Sequence, residues 1–554
     1  MGLTIAAGIL VFWGIGYGLP AVYLGDESYN VNLALYMGYT RDLNPRAWVY
    51  PSLLMYLLLG LYGVYFGLKM VFGSFTSIKD IATAILRDPT PLYLLGRILS
   101  ALAATLTVPL TFIVGRKFFN QRVGIVAAIL LIGVVPSVVQ AHFIKNEPLM
   151  TFFIVASLGV LGIAMHSGRL RDFALAGSLA GLAAASKYNG VLFAIPLALG
   201  ALDHATPRTW LIRTVSAGVC MFGAFILASP FVLLDFSTFW HQFQALDYFS
   251  LPRLGSVSVS PLTWWNVFVG ELGWGMTIVF ALGLIALAAQ RSLKAIVVLS
   301  FPVLHFAFFA LASPWQNIYW QIPIFPFLAL GAGVFFDTIA RRMPSPTLRR
   351  AFLIVCLGVI LIYPLNLIVQ YDMRASQPDT RTLAKEWVEA NIPAESHILT
   401  NRGKYQSSFG VPLTESPESI KANYLESDAL TNEGRVFRGA DNYYRLLAEA
   451  NTGLHPTYYI TPILYDDFAG QSAEFQRAPP KPLQEYIEAG VQYVVLIGNG
   501  AEYEQALKDA RFADFAKPYV ALYHAVSQHG RLLHMIPAST ERMGPAVYIY
   551  QVAP

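Results

Sequence analysis

The sequence predicts a polytopic α-helical membrane domain of about 11 spans over residues 1–370, followed by a soluble α/β domain over residues 371–554. Three observations carry that prediction. Only 13% of the 554 residues are charged and 55% are hydrophobic, with a mean hydropathy of +0.50, against about 25% charged in soluble domains. The apolar residues gather into stretches long enough to cross ~30 Å of hydrocarbon. The charge also divides near residue 370: the first part carries 22 Lys and Arg against 12 Asp and Glu, the second 16 against 22. A water-soluble chain is excluded. Nucleic acid is not an expected partner, because the net charge of +4 includes no basic run outside short loops between apolar segments. Cys220 and Cys356 lie far apart in apolar stretches, which argues against a disulfide framework or a cysteine-based metal site.

The elements follow in order. Residues 3–24 read as an uncleaved first span rather than a signal peptide, since no Lys or Arg precedes them and no small-residue cleavage site follows. Ala6 stands where a myristoylation signal wants Ser or Thr. Further spans are expected over 91–115, 123–143, 148–166, 172–187, 189–204, 213–234, 266–289, 295–312, 320–340 and 351–370, the pieces at 172–187 and 189–204 being short for full crossings. In the tail, helix patterns at 380–390, 483–489 and 501–510 alternate with strand patterns at 397–400, 491–497 and 546–552, which suggests a small α/β domain. No internal repeat or low-complexity segment is apparent.

Residues 47–73 are apolar too, and the charges decide how to read them. Loops kept in the cytoplasm are rich in Lys and Arg. With eleven spans and the N-terminus inside, 13 basic residues from Arg116 to Arg350 fall in inner loops with only Asp172, Asp203 and Asp337 as acids. The other acids of the membrane domain and the whole tail then face outward. Residues 47–73, interrupted by Pro51 and several glycines, are therefore expected to form interfacial or re-entrant helices in the outer leaflet.

The outer side holds the candidate chemistry. Asp26 and Glu27 follow the first span directly, and acids at a bilayer boundary need water, a cation or a substrate to compensate them. The structural alternative is that Asp26 N-caps the following amphipathic helix with Glu27 in its first turn. Glu147, in His142-Phe143-Ile144-Lys145-Asn146-Glu147-Pro148, comes out on the same face; Pro148 also fits ordinary helix-start grammar. Lys187, between Ser186 and Tyr188, lies in the outer half of the membrane against the positive-inside pattern. It either snorkels or meets an anion such as a lipid phosphate, with Arg253 as the next cation in reach of that role. Trp264, Trp265, Tyr319 and Trp320 read as aromatic-belt anchors, His241 as a solvated loop residue, and His142 and His305 as packed. There is no HExxH, Walker loop or Rossmann glycine fingerprint, so protease, ATPase and dinucleotide functions have no support.

Several short motifs occur together in one order: the acid pair after the first span, Asn44-Pro45, Tyr50-Pro51, Arg97-Ile98-Leu99-Ser100-Ala101-Leu102, Gly115-Arg116-Lys117-Phe118-Phe119, Glu147-Pro148, Ser186-Lys187-Tyr188 and Tyr319-Trp320-Gln321-Ile322-Pro323-Ile324-Phe325-Pro326. Over residues 1–370 the chain thereby resembles the GT-C glycosyltransferases, in the branch of the protein O-mannosyltransferases and the lipid A aminoarabinose transferase. Two departures stand out. The arginine typical before Tyr319 is absent, and Glu147 stands where the family more often has Asp. The resemblance implies an inverting hexosyl- or pentosyltransferase of the inner membrane, with a sugar donor on a polyprenyl phosphate and a lipid, glycan or protein acceptor. It implies Asp26 and Glu147 as catalytic acids or ligands of a divalent metal ion, and Glu27, Lys187, Tyr188, Tyr50 and Tyr319 as substrate-binding residues. The readings that compete with it are a solute or lipid transporter with an extracytoplasmic binding domain, and a non-catalytic glycan-binding protein.

Overall fold

The computed structural model describes residues 1–244, 261–312, 317–401, 410–422, 440–463, 479–509 and 512–553. Helix α1 (Gly2–Phe12) gives way to turns through Ala21, and α2 (Gly25–Thr40), α3 (Leu53–Val71) and α4 (Ile78–Arg87) follow. Then come α5 (Thr90–Phe118), α6 (Gln121–Ile132), α7 (Val135–Ala141), α8 (Asn146–Ser167), α9 (Leu170–Ser186), a 3₁₀ segment (Tyr188–Phe193), α10 (Ala194–Gly200) and α11 (Pro207–Ala228). After two short helices, α12 (Phe231–Leu234) and α13 (Phe236–Gln244), the domain closes with α14 (Pro261–Gln290), α15 (Leu293–Ala312), a second 3₁₀ segment (Ile318–Ile324), α16 (Phe325–Arg341) and α17 (Pro346–Ala375).

This is a multi-pass membrane protein. Among the described residues, eight helices are long and apolar enough to cross a membrane, and α6 with α7, bent by 61°, makes a ninth if taken as one span. The expected count of about 11 is not reached on these terms, for a local reason in each case. Gly14 and Gly18, at φ +82° and +73°, stand in the turns that follow α1, so the first span ends as a helix at Phe12. Helix α9 has 17 residues, and 189–204 divides into a 3₁₀ segment and a seven-residue helix. Helix α3 has the length and apolarity of a span; the interfacial reading of 47–73 remains our proposal.

Helix ends follow the local chemistry. Asn120, Thr206 and Ser345 cap α6, α11 and α17 by accepting backbone N–H groups, and Gly168 ends α8 in the left-handed region at φ +67°. Helix α9 packs between α8 and α11. A Cβ on Gly177 would lie 2.1 Å from the Ala217 carbonyl oxygen, and one on Gly181 2.2 Å from that of Met221, so only glycine permits this approach. At the end of the bundle that carries the basic loops, the buried Asp337 accepts from Asn120 and Arg341, each at 2.8 Å, and pairs with Arg122.

The tail forms a second layer system. Helix α18 (Thr380–Asn391), N-capped by Asp379, leads into β1 (His397–Thr400). Helices α19 (Pro417–Ile420) and α20 (Ala440–Asn451), β2 (Tyr459–Pro462), α21 (Leu483–Glu488), β3 (Tyr493–Ile497), α22 (Ala501–Ala506), α23 (Ala513–His529), β4 (Arg531–Ile536) and β5 (Val547–Gln551) complete it. The sheet runs β2-β1-β3-β5-β4, with β1, β2 and β3 parallel and β5 antiparallel to both its neighbours. Successive residues serve opposite faces: Leu399, Val494 and Leu496 pack with Tyr519 and Val526 of α23, while Ile398, Val495 and Ile549 pack with Ala384 and Val388 of α18. The expected helices and strands of the tail are present, α22 ending at Ala506. Strands β2 and β4 and helices α19, α20 and α23 lie outside the expected elements; in α23 Pro518 interrupts the helix pattern.

Candidate active site

Three loops converge where α2, α8 and the 3₁₀ segment after α9 begin. Helix α2 starts at Gly25 with Leu24 as N-cap and no side-chain cap, so the capping role considered for Asp26 is not what the carboxylate does. Its Oδ2 is held instead by the Lys145 ammonium. Lys145 is the N-cap residue of α8, which puts Glu147 in that helix's first turn. Glu147 Oε1 accepts Lys187 Nζ at 2.5 Å. Lys187 leaves α9 in extended conformation, and its side chain is 2% exposed, so it does not snorkel; Glu147 supplies the compensation. Its ammonium also stands 5.9 Å from the centre of the Tyr50 ring.

Amides fix the register of these loops. Asn146 Nδ2 donates to the Ser186 carbonyl at 2.7 Å, and Asn30 Nδ2 of α2 reaches Asn146 Oδ1 at 3.4 Å. The result is two carboxylates and two ammoniums within one cluster. Exposure grades across it: the Asp26 side chain is 47% exposed, Lys145 12%, Glu147 8% and Lys187 2%. Asp26 is thus the group that an incoming molecule meets first. Burial works to raise its pKa, but Lys145, by charge and hydrogen bond, and Lys187 by charge outweigh it and hold the carboxyl below the usual carboxylate range.

The other expected site residues are arranged around this cluster to different degrees. Glu27 faces away from it: fully buried, it takes Arg97 Nε at 2.8 Å and Arg97 NH2 at 2.7 Å, and its Oε1 also accepts the Ile144 N–H at 3.0 Å. It joins α2, α5 and the 142–146 loop instead of offering a free oxygen to substrate, and removing one partner of such a buried pair costs roughly 3–5 kcal/mol. Tyr50 is brought in through Lys187 and packs edge-on against Tyr29. The Tyr188 hydroxyl donates to the Trp48 carbonyl at 3.1 Å and its ring rests on Phe239 and Phe243. Tyr319 sits in the second 3₁₀ segment, its N–H capped by Asn317 Oδ1 at 2.9 Å and its ring against the main core. Trp264, expected at the membrane interface, is instead buried against Phe306. His142 and His305 are packed as expected, and His241 is exposed on α13. Arg253 lies outside the described residues.

Sequence reasoning passed over Lys145, although one signal was available. Like Lys187, it is a cation on the side that the charge bias assigns to acids.

Residues 80–234, which contain Arg97, Lys145, Glu147 and Lys187, match the family described as dolichyl-phosphate-mannose-protein mannosyltransferase. The fold is similar to that of the apo oligosaccharyltransferase from Archaeoglobus fulgidus, with a TM-score of 0.50 at 14% identity, over 91% of this chain and 70% of that one. The chain has the GT-C fold. ArnT from Cupriavidus metallidurans in the apo state aligns over 100% of this chain and 97% of its own, with 12% identity and a TM-score of 0.49. Arabinofuranosyltransferase AftD from Mycobacteria aligns over 100% of this chain and 40% of its own, with 14% identity and a TM-score of 0.45. No curated protein matches in sequence.

A divalent metal ion is the cofactor that the GT-C resemblance raises, and the donor set does not fit one. Among the described residues no three His, Cys, Asp or Glu side chains gather as ligands. The two carboxylates proposed for it are each held by a lysine. No step below is routed through a metal.

Proposed function

We propose that this chain is a membrane glycosyltransferase that moves a sugar from a polyprenyl-phosphate carrier to an acceptor hydroxyl on the non-cytoplasmic face of the plasma (inner) membrane, with inversion at the anomeric carbon. The observation that carries the proposal is a graded cluster. A half-exposed carboxylate, Asp26, stands beside ammoniums that are progressively more buried. Two substrates that must meet there need opposite partners. The acceptor hydroxyl needs an anion to take its proton, and the departing phosphate needs cations.

In this reading the acceptor oxygen attacks the anomeric carbon as the bond from that carbon to the phosphate oxygen breaks. The acceptor proton passes to Asp26 Oδ2 once the hydroxyl has taken the place of Lys145 there. The phosphate leaves with the bonding electron pair, and Lys187 and Lys145 offset its charge. Glu147 holds Lys187 in place and keeps the pocket's charge balanced before the donor arrives. The apolar carrier tail stays in hydrocarbon, which is why such chemistry belongs on a membrane domain. The sugar and the acceptor are left open as a hexose or pentose and a lipid, glycan or protein hydroxyl.

The test is sugar transfer from a polyprenyl-phosphate donor in membranes carrying each variant at matched expression. Asp26→Asn keeps the shape and removes the basicity, so turnover is expected to fall by about 10² to 10⁴ with insertion unchanged. Glu147→Gln is expected to lower turnover less and to weaken donor binding along with it. Near-normal transfer by Asp26→Asn would return the cluster to a structural role. Donor-independent solute uptake by the wild type would favour a transporter.

A further inference from the structure

The segment that delivers Asp26 to the cluster has almost no structure of its own. Residues 13–23 run as turns and extended chain between α1 and α2. Within it Val22, a buried β-branched residue, sits at φ +50°, in the left-handed region such side chains avoid. A conformation of that kind persists only where the surroundings impose it. The contacts that impose it come from distant parts of the chain.

On the membrane side, Arg97 NH1 donates to the Ile15 and Tyr17 carbonyls, each at 2.8 Å, while its other nitrogens hold Glu27. On the opposite side the partners belong to the start of the C-terminal domain. The Tyr17 hydroxyl donates to Asp379 Oδ2 at 2.7 Å. The Tyr23 hydroxyl pairs with Thr382 Oγ1 at 2.8 Å. The Arg381 guanidinium lies 3.7 Å from the centre of the Tyr23 ring and is itself held by Asp379 at 2.8 and 2.9 Å. Asp379 and Arg381 side chains are 0% and 9% exposed, so the clamp is a built, desolvated contact. Asp379 is also the N-cap of α18, which fixes the clamp to the first rigid element of that domain. Tyr23 precedes Asp26 by three residues.

We infer that Asp379 and Arg381 of the C-terminal domain are positioning residues that set Asp26 in the cluster by clamping Tyr17 and Tyr23. The inference rests on the reading of Asp26 as the acceptor-activating group. It gives the C-terminal domain a part in turnover as one wall of the frame that holds the first loop. In the proposed reaction the donor phosphate meets Lys187 and Lys145, which cap the end of α9 and the start of α8 and take no part in the clamp. Loosening the clamp therefore affects the acceptor-activating step and spares donor binding.

The experiment uses the full-length protein in detergent or proteoliposomes, with Arg381→Gln, Arg381→Lys, Tyr17→Phe and Thr382→Val beside Asp26→Asn. Arg381→Gln is expected to lower kcat about 10- to 100-fold, the scale of a misplaced catalytic group. Donor KM and polyprenyl-phosphate binding stay within about two-fold. Arg381→Lys, which keeps the charge over Tyr23, is expected to recover part of the loss. Amide hydrogen exchange over residues 13–30 should rise in Arg381→Gln while that of residues 95–110 stays protected. Wild-type kcat and unchanged exchange in a folded Arg381→Gln, in an assay where Asp26→Asn is inactive, would overturn the inference alone. Absence of transfer by the wild type counts instead against the functional reading, and the exchange data then still decide whether the clamp holds the loop. Should Arg381→Gln fail to fold, Tyr17→Phe and Thr382→Val each remove one oxygen or hydroxyl contact and carry the same readouts.

Discussion

In the proposed reaction the Asp26 carboxylate serves two demands. Its ion pair with Lys145 keeps it ionised and oriented in the absence of acceptor, and the same pair makes it a weaker base. The acid limb of kcat/KM reports the ionisation of the free enzyme's base. Because the Asp26 carboxyl is held below its ordinary value of 3.8, that limb is expected below the usual carboxylate range, with activity lost only as pH falls through it. Lys145→Met removes the main lowering influence and leaves the burial that raises the carboxyl. The limb should then move to higher pH, and a pH profile unchanged by Lys145→Met would detach Asp26 from the rate. At this scale the sequence was legible where a residue broke a rule. Asp26, Glu147 and Lys187 were found because charge at a bilayer boundary is costly. Arg97 and Glu27 were harder, since a buried pair from segments 70 residues apart leaves no local pattern. Glu27, expected beside its neighbour to face substrate, turns inward to Arg97, because adjacent residues of a helix point about 100° apart.

Among the elements, α9 shows how a helix with modest apolarity is held in a membrane. It is rich in Ala and Gly, and its glycine contacts bring its backbone against that of α11. Small residues four apart are the usual device for such close crossings in lipid, where apolar burial alone does not favour helix over lipid contact. Lys187 follows Gly181 by six residues at the end of the same helix. Gly181→Val is therefore expected to push α9 away from α11 and to displace Lys187 from Glu147. It should lower both thermal stability in detergent and polyprenyl-phosphate binding, whereas Gly218→Val, on the same pair of helices but with open space around its Cβ, should change neither. Equal effects of the two substitutions would show that the site does not depend on this crossing. The sequence gives apolar stretches readily because hydropathy is additive along the chain. The 61° bend between α6 and α7 falls where Gly133 ends α6 and Pro136 stands in the first turn of α7, a local break that the hydropathy of 123–143 masks.

For the whole molecule the deciding question is which way it sits in the membrane. The folded chain puts Asp26, Lys145, Glu147 and Lys187 in one cluster and draws the C-terminal domain to the same end through the Tyr17–Asp379 and Tyr23–Thr382 contacts. The group around Asp337, with Arg122 and Arg341, belongs to the loops that carry the basic excess. Since loops rich in Lys and Arg stay in the cytoplasm, the cluster and the tail are expected outside. This makes the orientation testable as one statement, because the loop that leads to Asp26 touches the tail through Tyr17 and Tyr23 and the two cannot lie on opposite sides. Single cysteines at Thr40 and Ser376, both exposed, placed in a chain whose own cysteines are replaced, should react with a membrane-impermeant maleimide in intact cells. A cysteine at the exposed Arg342 should react only after permeabilisation. Labelling of Arg342→Cys in intact cells with protection of the other two would invert the orientation and move the proposed transfer to the cytoplasmic face, where the donor leaflet and the acceptor would both have to be reconsidered. Labelling of Ser376→Cys but not Thr40→Cys would require the first loop and the tail to be on different sides, which the clamp does not permit.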